Sequence, residues 1–174
     1  APPDARIAND PTSPVTPTGR LVAAGAVATG IAFGPARMGF GLFLPTFRAR
    51  FGLDTADAAA ISALAFAAFL AALPAAARLV QRVGQRPPIL AGALAAGAGF
   101  ALVAAASHPA TLALGVALAG TSAGLCWTPF NDAAARVASD TARPGALSAI
   151  ATGTTLGVAA AGALFLAVAA GALG

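Results

Sequence analysis

Residues 77–88 read A-R-L-V-Q-R-V-G-Q-R-P-P, a short hinge carrying Arg78, Arg82 and Arg86 between two long apolar stretches. A soluble core could not hide that much apolar surface on both sides of so brief a polar break. Nearly uncharged apolar runs of about 20 residues are long enough to cross a bilayer. Lipid offers no partners for bare backbone, so such runs must form helices or closed barrels. Barrel strands alternate apolar and polar residues, and these Ala/Gly/Leu runs do not. The expected fold class is an all-α membrane protein.

Composition agrees. The 174 residues are 58% hydrophobic and 9% charged, with a mean hydropathy of +0.81, whereas soluble domains carry roughly 25% charged residues. Much of the apolar content is alanine, so the assignment rests on scarcity of charge more than on strong hydrophobicity. All basic residues are arginine, and neither lysine nor glutamate occurs. That bias suggests a GC-rich bacterial genome, hence a bacterial cytoplasmic membrane. The net charge of +4 does not indicate nucleic-acid binding, which needs a dense basic face on a soluble domain. One His and one Cys cannot build a zinc site, and there is no phosphate loop or nucleophile triad. No cofactor, metal or enzymatic activity is expected.

Residues 1–19 are polar and Pro-rich and read as a disordered tail. Five spans are expected at about 21–45, 57–77, 88–106, 110–130 and 145–170. With a cytoplasmic N-terminus, inside segments hold Arg6, Arg20, Arg78, Arg82, Arg86, Arg136 and Arg143, and outside segments only Arg48 and Arg50. This is the direction of the positive-inside rule. A faint repeat pairs G-L-F-L-P-T-F (Gly41 to Phe47) with G-L-C-W-T-P-F (Gly124 to Phe130), at the ends of the oppositely directed first and fourth spans. Inverted repeats of three helices are a building rule of secondary transporters.

The hinge resembles the loop between the second and third helices of the major facilitator superfamily, whose pattern is approximately G-x-L-A-D-R-x-G-R-R. Leu79, Arg82, Gly84 and Arg86 match it; Gln81 stands at the family's aspartate and Ala77 at its first glycine. The segments G-F-G-L-F-L-P-T-F-R-A-R-F-G-L-D and A-G-T-S-A-G-L-C-W-T-P-F-N-D are similar to the family's first helix end and fourth helix. The resemblance covers residues 20–174. It implies a secondary active transporter, a permease in which the first, second, fourth and fifth helices line a central cavity. Members usually carry twelve helices in two bundles. Five spans would then be a fragment, most of an N-terminal half without its sixth helix and the missing C-terminal bundle. The resemblance also implies that Arg82, Gly84 and Arg86 form a cytoplasmic conformational latch. Gln81 cannot supply the carboxylate, and Asp132, at the inner end of the fourth span, is the candidate partner of Arg82. The bland reading of these charges is a topology signal.

Arg37 is the sharpest single feature, since a central arginine costs about 2.5–3.5 kcal/mol on insertion scales. It should face a water-filled cavity, bind an anionic solute group, or else snorkel to an interface. Pro35 removes a backbone hydrogen bond and can kink the first span toward a cavity; the glycines around it suit close packing. Thr121, Ser122 and Thr154 are further cavity candidates, although such hydroxyls also satisfy their own helix. Gly153, Gly157 and Gly162 partly match the G-x-x-x-G-P-x-x-G-G pattern of drug/proton antiporters, but Val158 replaces its proline and Ala161 a glycine. Helix packing explains them. Trp127 reads as an inner-interface anchor. No Asp or Glu lies in the interior of these spans, so a coupling proton or ion would need a carboxylate from elsewhere.

Two functions follow. The first is a transporter for a small solute, with Arg37 favouring an anionic one. The alternative is a non-transporting multi-pass membrane subunit or scaffold. The partners expected are the lipid bilayer and a small-molecule solute.

Overall fold

The computed structural model describes residues 17–171. Among these residues the chain is helical throughout, with no strand. It runs as α1 (Pro17–Phe33), a π-helical turn (Gly34–Met38), α2 (Gly39–Leu42), α3 (Leu44–Phe51), α4 (Thr55–Val83), α5 (Arg86–Ala104), α6 (Pro109–Val137) and α7 (Arg143–Ala169). Five stretches are long and apolar enough to cross a membrane: Gly19–Leu42, Thr55–Val83, Arg86–Ala104, Pro109–Arg136 and Arg143–Ala169. The tail expected over 1–19 lies outside the described residues up to residue 16, and α1 already begins at Pro17. Proline suits a helix start, where its missing N–H would lack a partner anyway.

Proline and glycine punctuate the spans. Pro35 cannot donate to the carbonyl one turn back and crowds it; the chain responds by widening into the π-helical turn. At Phe43 (φ −92°, ψ 9°) the helix breaks before Pro45, and α3 continues as a separate piece. Pro129, its counterpart in the faint repeat, lies inside the unbroken α6. The two copies therefore differ in local geometry. Elsewhere, Asp54 and Asp57 close a reciprocal capping box on α4, and His108 caps α6 by accepting from the Ala110 N–H at 3.2 Å.

Helix α6 is the hub: 56% of its membrane-spanning window is buried, against 17% for α4 and α7. It packs on α4, α5 and α1, while α7 packs chiefly on α1. The contacts are made by small residues. A Cβ on Gly99 would lie 2.5 Å from the Ala119 nitrogen, and one on Gly124 would lie 2.7 Å from the Phe69 carbonyl oxygen. On the other side, Gly34, Gly153 and Gly157 bring α1 and α7 so close that a Cβ on any of them would overlap the facing backbone. This is how membrane helices associate without a hydrophobic drive between them. Thr29 adds a polar tie, donating to the Ile150 carbonyl at 2.9 Å and the Gly25 carbonyl at 2.8 Å.

The two ends of the bundle are closed differently. At one, Phe40, Leu53, Ile61, Ala106, Leu112 and Val116 form an apolar cluster, and Arg50 straps the last turn of α3 to the Ala106 carbonyl at 3.0 Å. At the other, Ala134, Ala138, Ala146 and Ile150 cluster with Val22.

Candidate functional site: an arginine among aromatic rings

Arg37 projects from the π-helical turn toward α4. Its guanidinium carbon lies 4.0 Å from the ring centroid of Phe69, 5.1 Å from Phe66 and 5.8 Å from Phe33. The Phe33 contact follows from helix geometry: residues four apart share a face, and side chains lean toward the helix N-terminus. The α4 contacts set the depth. Phe69 is midway along α4, whereas Arg37 lies in the last turns of its own span, Gly19–Leu42, so the charge sits between the middle of α4 and the end of the bundle closed around Phe40. Phe33 in turn meets Trp127 of α6 edge-on, with centroids 5.4 Å apart. Trp127, expected as an interfacial anchor, is part of this aromatic group.

A cation over an aromatic face gains about 0.5–2 kcal/mol, against about 2.5–3.5 kcal/mol for placing arginine at mid-membrane. The rings offset part of the cost and leave the guanidinium edges unsatisfied. Arg37 makes no hydrogen bond or ion pair among the described residues. Beside it opens a cavity of about 260 Å³, lined by Arg37 and Ser62 with Met38, Phe40, Phe66 and Val116.

The other expected cavity residues lie elsewhere. Pro35 faces away from Arg37 and lines an apolar cavity of about 350 Å³ with Phe43, Phe100, Ala161 and Leu164. Thr121 donates to the Leu118 carbonyl at 2.7 Å and Ser122 to the Ala119 carbonyl at 2.6 Å. Ser122 borders a groove between α1 and α5. The Thr154 hydroxyl is buried without a partner among the described residues. A helical threonine ordinarily donates one turn back; here that is the Ile150 carbonyl, already occupied by Thr29. None of the three joins Arg37; Ser62 is the hydroxyl in its cavity. Of the glycines expected to pack, Gly153 and Gly157 lie on the α1 crossing. Gly162 lies off it, with no described atom within 4 Å of a Cβ there.

At the α4–α5 turn, Gly84 has φ +86°, a backbone conformation that favours glycine. Arg82 and Arg86 are exposed and form no ion pair among the described residues. Asp132 is held by Gln85 and not by Arg82: it accepts from Gln85 Nε2 at 3.0 Å and Arg136 Nε at 3.1 Å. Gln85 begins the α5 turn facing α6, whereas Arg82 points to the exposed surface.

Comparison with protein families supplies the identification. The Major Facilitator Superfamily matches residues 21–174, nearly the whole of the chain. The chain belongs to this superfamily. Searches of curated proteins and of solved structures gave no match. Membership and the five apolar helices make it a multi-pass membrane protein of a transporter superfamily, whose interactors are the bilayer and a transported solute.

Phe33, Phe66, Phe69, Ser62 and Gln85 were not among the residues singled out from sequence. The Phe33–Arg37 spacing was a usable signal. Nothing in the chain order marks the α4 rings as its partners.

Proposed function

We propose that the protein is part of a secondary active transporter that binds a small solute through an anionic group at Arg37 and moves it by alternating access. The observation that supports this most is a guanidinium within a membrane span, its face on phenylalanine rings and its N–H edges without acceptors among the described residues. Guanidinium forks pair bidentately with carboxylates and phosphates. A solute anion would supply the countercharge that five helices with no interior carboxylate do not. The site would lie near the membrane midplane, as in other carriers built from repeats, with the second bundle covering the face that carries Arg37. In this reading the N-terminus lies in the cytosol of a bacterial cell and the Arg78–Arg86 hinge faces inward, as the positive-inside rule favours. There Gln85, Asp132 and Arg136 would serve as the latch, each exposed charged contact contributing about 0–1 kcal/mol.

Thermal stabilisation of the purified full-length transporter by small organic anions and their neutral analogues tests the reading. Anions should stabilise the wild type, Arg37→Lys should retain part of the effect, and Arg37→Gln should lose it. Equal stabilisation of wild type and Arg37→Gln by charged and neutral solutes would refute it.

A further inference from the structure

The rings around Arg37 are not equivalent: one carries the guanidinium and others brace that ring. We infer that Phe69 is the positioning residue of the site and that Trp127 acts on Arg37 at one remove, through Phe33. Both assignments rest on Arg37 binding the anion. Phe69 is the nearest ring, its centroid 4.0 Å from the guanidinium carbon against 5.1 Å for Phe66. Its backbone is clamped where α4 meets α6. A Cβ on Gly124 would lie 2.7 Å from the Phe69 carbonyl oxygen, and one on Gly120 would lie 2.9 Å from that of Ala65. The Phe69 ring is held from two sides, edge-on by Phe33 at 6.2 Å and tilted against Phe66 at 6.0 Å. Phe66, by contrast, is 51% exposed.

Phe33 joins three helices. It projects from α1, meets Phe69 of α4 edge-on and meets Trp127 of α6 edge-on at 5.4 Å. Aromatic pairs of this kind prefer a defined geometry, so the run Trp127–Phe33–Phe69 fixes the plane of the ring beneath Arg37. Arg37 itself rides on the π-helical turn one turn beyond Phe33, and such turns are frequent at functional sites. A free arginine samples many rotamers, which binding must freeze. Stacked on a fixed ring, the guanidinium already lies in one plane and presents its N–H fork edgeways, where a carboxylate pairs bidentately. That effect needs the face of Phe69. Leucine fills much of its volume and has no face to offer.

Side-chain NMR of the full-length protein in detergent, with labelled arginine, tests this; Arg37→Lys identifies the Arg37 resonance by its loss. Ring current should shift that resonance upfield in the wild type. Phe69→Leu should abolish the shift, Phe69→Trp should keep it, and Phe66→Leu should leave most of it. Trp127→Ala should reduce the shift, whereas Trp127→Phe, which keeps a ring against Phe33, should preserve it. Acetate, a bare carboxylate, is then titrated on the same resonance with chloride as the ionic control. It should bind about twofold to thirtyfold more weakly to Phe69→Leu than to wild type or Phe69→Trp. An upfield shift that survives in Phe69→Leu, or acetate binding unchanged there, would overturn the assignment of Phe69 and leave the Arg37 reading standing. Equal shifts in Trp127→Ala and Trp127→Phe would overturn the assignment of Trp127. An Arg37 resonance that does not respond to acetate in the wild type would remove the reading and the inference together.

Discussion

Replacing Gly157 by alanine adds one methyl group at the tightest crossing in the bundle. That methyl would overlap the carbonyl group of Gly30, a backbone atom that no rotamer change can move aside. Helices α1 and α7 must separate by about 1 Å, and overpacking of this kind costs about 1–3 kcal/mol. The same separation stretches the Thr29–Ile150 hydrogen bond, now 2.9 Å, beyond useful length, a further loss of about 0.5–1.5 kcal/mol. Alanine returns up to about 1 kcal/mol of helix propensity. The net expectation is a destabilisation of about 2 kcal/mol. Gly162→Ala on the same helix is the control, because it gains the propensity and meets no described atom. Reversible unfolding in mixed micelles, titrated with denaturing detergent, would measure both. If Gly157→Ala proves as stable as Gly162→Ala, the close α1–α7 crossing is wrong.

Three further outcomes are expected. Thr29→Val should cost about 1 kcal/mol by removing the donor to Ile150, whereas Thr154→Val should be neutral or stabilising because its buried hydroxyl has no partner to lose; the same unfolding titration compares them, and a reversed order counts against the hydroxyl assignment. A short bifunctional thiol cross-linker should join cysteines placed at positions 85 and 132 faster than cysteines at 82 and 132, since Gln85 and not Arg82 reaches Asp132; equal rates would contradict this. A reporter domain inserted after Arg86 in the full-length protein should be active only in the cytosol, and activity on the opposite side would reverse the proposed orientation.

The spans could be read without a structure because hydropathy is local: a run such as Ile89 to Val103 carries no charge, and lipid forces any such run into a helix. Pro35 was equally legible as a disturbance, and the helix answers it with a π-helical turn. Arg37 was conspicuous for its cost alone. Its surroundings were not, because the rings that meet it come from another helix whose rotation is set by Gly120 and Gly124 packing α4 onto α6. The hinge shows the same division. Family resemblance directed attention to Arg82 and Asp132, yet a turn at Gly84 with positive φ presents Gln85 to α6 instead.

The chain alone determined that the described residues hold five helices apolar enough to cross a bilayer and that Arg37 falls within one of them, since both depend on residues within a few turns. Only the packed bundle decided what surrounds that charge. Contacts between α1, α4 and α6 depend on which small residues let backbones touch, and that complementarity exists only once the helices have come together.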